Sequence, residues 1–187
     1  MTRHCAECQL CCRLLPVREL KKAANQRCQH QQSLKGCSIY TRRPLACALW
    51  NCRWLINDDT YDLSRPDRSH YVIDTMPDRV VAIQDEIKQV LETVQIWVDP
   101  KYPDAWREPK LMAYLERRSK ERVIGQIRYN SEDCILVIPP SMSGDGTWIE
   151  KNGEMKTKEE LNAAVEEADY FGGVMRQIEE EFGNGNI

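Results

Sequence analysis

No apolar run in the 187-residue sequence approaches the roughly 20 residues needed to span a bilayer. The opening stretch, M-T-R-H-C-A-E-C, lacks the apolar centre of a secretory leader, so the expectation is a cytoplasmic chain. Thiols stay reduced in that compartment, which argues against a disulfide framework. Histidine is scarce: only His4, His30 and His70 are present, and no serine–histidine–carboxylate arrangement can be inferred. The chain has no internal repeat and no low-complexity tract.

Cysteine, by contrast, is concentrated. Eight of nine lie between positions 5 and 52: Cys5, Cys8, Cys11, Cys12, Cys28, Cys37, Cys47 and Cys52. The first four read C-A-E-C-Q-L-C-C, a CxxCxxCC knot. A two-residue gap lets two thiolates on one tight loop face a single metal centre. Four thiolates satisfy one tetrahedral zinc or one 4Fe–4S cluster, so eight allow two sites or one larger assembly. Neighbouring side chains diverge in an extended segment, which predicts that Cys11 and Cys12 serve different centres. The CxxCxxC opening leans towards iron–sulfur, and zinc stays open. The ferredoxin continuation is missing, since Cys12, Arg13, Leu14 and Leu15 follow Cys11. A CxxxCxxC radical motif is missing too, because position 15 is Leu15. The ninth thiol, Cys134, lies among Ile135, Leu136, Val137 and Ile138 and reads as a small buried hydrophobe. His4 and His30 stand near cysteines, but thiols already supply enough donors, so both read as neighbours of the centre or surface groups.

The net charge of −3 is unevenly spread. Residues 1–56 carry ten basic side chains against two acidic ones, and the remainder carries 16 against 27. A basic segment suggests an anionic partner such as nucleic acid. Metal-bound thiolates are themselves negative, however, and basic groups around them offset that charge. Charge compensation is therefore the favoured account, with Arg42 or Arg43 packed near the cluster. A nucleic-acid partner is disfavoured, a membrane partner is not expected, and a protein partner or substrate stays open.

The predicted fold class is α+β: an irregular cysteine-rich metal-binding module packed on a small, mainly antiparallel sheet with helices. The expected divisions are 1–56 for the module, 57–155 for the sheet region and 156–187 for a helical tail. Within the module a turn or short strand is expected at 16–20, a helix-tolerant stretch at 21–32 and a short helix at 45–51 after Pro44. Gly36 suits a tight turn. Strands are expected at 71–74, 79–83, 90–98, 123–129, 134–138 and 147–150, with a turn over 84–89. Pro109 opens a helix to 122 whose stripe is Leu111, Met112 and Leu115. Trp50 and Trp54 read as a seam between module and sheet. Thr157 and Glu160 have capping-box spacing at the start of the tail.

Taken together, Cys5, Cys8, Cys11, Cys12, Cys28, the run Gly36-Cys37-x-Ile39-Tyr40-x-x-Arg43-Pro44-x-x-Cys47, and Cys52 resemble the YkgJ-type cysteine-cluster family, described as zinc- or iron-chelating. The resemblance covers about the first third of the chain. Residues 22–25 read Lys-Ala-Ala-Asn, where family members often carry a Lys-Pro-Ala-Gly-like stretch. The resemblance implies metal chelation through the eight cysteines and no single reaction. The pattern is also similar to part of the flagellin lysine N-methylases, which makes a cluster-dependent protein-modifying enzyme the alternative. Those enzymes are longer, and no glycine-rich nucleotide loop is present here. A zinc module binding nucleic acid is the remaining alternative.

Overall fold

The computed structural model describes residues 3–5, 7–33, 35–76, 78–84 and 87–154, with 159, 160, 162, 163 and 166 beyond them. In chain order the helices and strands are α1 (Leu10–Leu14), β1 (Gln31–Gln32), β2 (Gly36–Cys37), α2 (Leu45–Leu49), α3 (Arg53–Ile56), α4 (Pro66–Ser69), β3 (Tyr71–Ile73), β4 (Asp78–Gln84), β5 (Ile87–Val98), α5 (Pro109–Arg118), β6 (Val123–Arg128), β7 (Asp133–Ile138) and β8 (Ile149–Glu154). The fold contains both helices and sheet, as α+β requires. Two compact units divide the chain, one of Met1–Asp78 with Thr93–Met155 and the other of Arg79–Glu92 with Lys156–Ile187.

In the first unit the strand order is β3-β5-β6-β7-β8. The pairs β3–β5, β6–β7 and β7–β8 are antiparallel. Tyr71 faces Val98, Val72 faces Trp97 and Ile73 faces Ile96 across β3 and β5. Side chains alternate along a strand, so this register sorts them onto two faces. Tyr71, Ile73, Val94, Ile96 and Val98 join Leu111, Tyr114 and Leu115 of α5 in the larger core. Val72 and Trp97 point the other way and join Leu10, Leu14 and Cys52 in a second core. Both faces of these strands are therefore covered, one by α5 and one by the cysteine segment.

The α5 helix begins at Pro109, whose missing N–H costs nothing in a first helical turn. Its buried residues are Leu111, Tyr114 and Leu115, so Tyr114 extends the expected stripe. The helix ends at Arg118, short of 122, and a 3-10 turn over Ser119–Glu121 leads to a left-handed Arg122. Gly125 lets the helix approach the sheet, since a Cβ there would lie 3.0 Å from a Leu115 methyl. The β6–β7 turn forms as expected: the Asn130 side-chain oxygen accepts from the backbone N–H groups of Glu132 and Asp133, both at 2.8 Å. Cys134 is buried, and the Gln126 amide donates to its sulfur at 3.7 Å.

Several local expectations are corrected. The stretch 21–32 is not helical, because Lys21 and Asn25 take left-handed backbone and Lys22 bridges back to Val17. The β5 strand starts at Ile87 rather than 90, and β4 is its neighbour. The last strand runs Ile149–Glu154, not 147–150. Asp145 holds Thr147 in the preceding turn through its backbone N–H at 3.0 Å and its hydroxyl at 2.8 Å. In the second unit β4 pairs with β5. The helical tail expected over 156–187 lies outside the described residues, except that Glu159, Glu160, Asn162, Ala163 and Glu166 are helical and exposed.

Candidate metal centre

Two short helices and a two-stranded ladder carry half of the eight clustered cysteines. The α1 helix has only five residues, too few to persist alone in water. It is held by Leu10 and Leu14, one helical turn apart, which bury against Val72 and Trp97. Pro16 then ends the helical path. Cys11 and Cys12 lie within α1, Cys5 and Cys8 before it, and Cys28 in the loop that follows. Cys37 belongs to β2, which pairs with β1 through Gln31↔Cys37 and Gln32↔Gly36. Gly36 takes φ +89°, a conformation that favours glycine. Cys47 sits in α2, and Cys52 immediately precedes α3.

Cys5 is exposed, Cys52 is buried, and Cys8, Cys11, Cys12, Cys28, Cys37 and Cys47 lie between these extremes. All nine cysteines are free of disulfides. The expectation that Cys11 and Cys12 diverge in an extended segment is corrected. They occupy helix, and the two side chains act on one another's ionisation. Cys12, with burial, raises the Cys11 pKa well above the usual thiol range. Cys11 in turn lowers Cys12 to about 7, helped by the charges of Lys22 and Arg43. Burial pushes up Cys5, Cys8 and Cys47, and raises Cys52 to about 11.

Charge of both signs surrounds the thiols. The Lys22 side chain is buried, and its ammonium donates to the carbonyls of Arg13 at 3.1 Å, Leu15, and Ala23 at 3.2 Å. Two of those carbonyls, from Arg13 and Leu15, belong to the C-terminal end of α1, where a cation is favourable. Burial lowers the Lys22 pKa, opposed by the fields of Cys28, Cys12, Cys11 and Cys47. Lys22 is therefore a buried cation in the field of four of the thiols. Composition pointed to compensating charge without singling out this residue. Its signal was weak: one lysine in a polar stretch expected to tolerate helix. Arg43 stacks over Tyr40 at 4.0 Å and acts on both Cys5 and Cys12. Cys8 lies beside Asp67, which Arg65 holds below its usual pKa by a paired contact of 2.6 and 2.8 Å.

The surrounding framework is polar and specific. Arg13 forms an ion pair with Asp99, which is 2% exposed at the end of β5. Arg3 donates to the Thr60 hydroxyl and carbonyl, both at 2.7 Å, and to the Trp54 carbonyl. Trp50 Nε1 donates to Asp74 at 2.8 Å, and Trp54 Nε1 to the Leu63 carbonyl at 3.0 Å. Both indoles thus lie at the expected seam between cysteine segment and sheet, packed against the second core. An open cleft of about 770 Å³ includes Arg3 and His4, the residues that precede Cys5, together with Arg65 and Arg68.

Among the described residues, no group of three or more Cys, His, Asp or Glu side chains stands arranged to hold a metal ion. The thiols are neighbours rather than a finished coordination shell. Comparison with family models, curated proteins and solved structures finds no match. The chemistry of the donors fits soft thiophilic centres such as zinc or iron–sulfur, and hard oxygen-seeking cations are poorly served. Among the described residues no helix is long and apolar enough to cross a membrane.

Proposed function

We propose that this chain is a metal-binding protein that chelates zinc or an iron–sulfur cluster through Cys5, Cys8, Cys11, Cys12, Cys28, Cys37, Cys47 and Cys52, in the manner of the YkgJ-type proteins it resembles. The observation that carries the reading is that the free thiols Cys11 and Cys12 of α1, Cys28 of the loop after it and Cys47 of α2 act on one buried ammonium, that of Lys22, with Cys37 of β2 acting on Cys47. A reduced cytoplasmic setting suits eight unpaired thiols. Thiolate ligation by any such centre cross-links segments that share only a small apolar core, so binding energy there is also folding energy. Ligation requires the side chains to close in from their present neighbouring positions. Of this chain's own residues, Lys22, Arg43 and Arg65 supply the positive field that favours thiolates.

Anaerobic purification followed by elemental analysis and a visible absorption spectrum tests the proposal. Zinc without colour, or iron with sulfide and a visible band, is the expected outcome. Replacing Cys8→Ser lowers metal content and increases protease cleavage within residues 1–56. A native protein purified without either metal, or a Cys8→Ser variant with full metal and unchanged protection, contradicts the proposal.

A further inference from the structure

We infer that the open cleft lined by Arg3, Tyr61 and Arg68 binds a small aromatic oxyanion, a flat apolar ring that carries a phosphate or carboxylate head. The site uses no thiol and stands apart from the metal-binding reading.

The charged side of the cleft is built from Arg3, Arg65 and Arg68. Arg3 is part-buried, and its guanidinium donates to the Thr60 hydroxyl and carbonyl, both at 2.7 Å, to the Asn57 carbonyl at 3.3 Å and to the Trp54 carbonyl. All of these acceptors are neutral oxygens. They fix the direction of the cation and leave its charge without a carboxylate, so the cleft keeps a positive potential. Arg65 differs, because Asp67 holds it at 2.6 and 2.8 Å and Glu7 lies 3.4 Å away. Arg68 leaves α4 and is exposed, and its guanidinium has no hydrogen-bond or ion-pair partner among the described residues. Its planar fork of donors matches an oxyanion. Asp58 also lines the cleft; it is exposed and, among the described residues, pairs with neither Arg3 nor Arg68.

The apolar side is Trp54, Leu55, Tyr61 and Leu63. Leu63 belongs to the larger core, Trp54 packs against it, and the indole N–H donates to the Leu63 carbonyl at 3.0 Å. This wall is therefore fixed by the fold. Tyr61 stands out from it, 72% exposed, which is a large apolar ring to leave in water. The Arg117 guanidinium lies 5.6 Å from the Tyr61 ring centroid and is itself held by both oxygens of Asp62, at 3.0 and 2.9 Å. The cleft volume of about 770 Å³ suits a small organic ligand. An inorganic ion in it gains no apolar contact, and an uncharged ring leaves Arg3 and Arg68 without an anion. A ligand with both parts uses both walls.

The test titrates the full chain with phenyl phosphate and, separately, with benzoate by calorimetry at physiological ionic strength. The two arms distinguish a phosphate head from a carboxylate head. At least one of them is expected to bind roughly tenfold more tightly than its ring-free counterpart, inorganic phosphate or acetate, because only the aryl anion covers the apolar wall. Phenol, which has the ring without the charge, is expected to bind more weakly than the preferred aryl anion. Arg68→Ala is expected to weaken that anion roughly tenfold, and Tyr61→Ala about fivefold. Both side chains are exposed, so these substitutions leave the packed core untouched. Failure of both aryl anions to bind the native protein overturns the site, as does an affinity unchanged in both variants. Equal affinity for the aryl anion and its ring-free counterpart, or for phenol, overturns the pairing of ring and charge. None of these results bears on metal content, which the elemental analysis decides separately.

Discussion

Cys12 is the residue at which the local electrostatics converge. Its neighbour Cys11 and the charges of Lys22 and Arg43 together bring it to about 7, against the opposing effect of burial. A lowered pKa means more thiolate near neutral pH, and the thiolate is the reactive form. In metal-free protein, Cys12 is therefore expected to be alkylated first, with its rate half-maximal near pH 7. Both contributors act in the same direction, so removing either shifts that midpoint up. Cys11→Ala or Lys22→Met moves the profile towards the ordinary thiol value of 9.0. A pH–rate profile read at Cys12 by mass spectrometry checks this; an unmoved midpoint in both variants removes the assigned causes. Cys52, buried and raised to about 11, is expected to react slowly at the same pH.

At the scale of elements, α1 is fixed to the sheet by apolar contact and by one ion pair. Leu10 and Leu14 supply the contact, and Arg13 pairs with the buried Asp99. Removing Arg13 leaves a carboxylate that is 2% exposed without its cation. Because the arginine side chain is 34% exposed, the cost falls below that of a fully buried pair, roughly 2 kcal/mol for Arg13→Ala. Urea unfolding is the measurement, and a midpoint unchanged from the native protein contradicts the assignment. The sheet elements were the legible part of the sequence. β-Branched runs marked β3, β6 and β7, and Pro109 marked the start of α5. The elements of the cysteine segment were less legible, because so little of their stability is local. Lys22 looks helix-compatible in isolation, but its ammonium is turned inward to three carbonyls and the backbone bends around it. Period-two and period-3.6 patterns carry no signal for an interaction of that kind.

For the whole molecule, two apolar clusters of unequal size share the strands β3 and β5. The larger is built from sheet and α5, and the smaller from five buried residues with the cysteine segment above them. The spacing of the cysteines is plain in the sequence, and which of them the fold brings near one another is not. Spacing shows which thiols share a loop, but Cys52 reaches Cys5 and Cys8 only through the fold. If metal supplies much of the segment's order, chelation loosens it without dissolving the larger core. Limited proteolysis in the presence of chelator is expected to cut within residues 15–50 while a fragment containing β3 to β8 resists. Equal cleavage throughout, or none, contradicts this difference in stability.

Placing Val72 and Trp97 beneath Leu10 and Leu14 has a consequence for biosynthesis. A ribosome makes the cysteine-rich stretch before it makes the strands on which that stretch rests. The nascent thiols therefore emerge ahead of their support, before Trp97 of β5 has left the exit tunnel. An oxidant encountered during that interval meets the sulfurs before the apolar floor of Val72 and Trp97 lies beneath them.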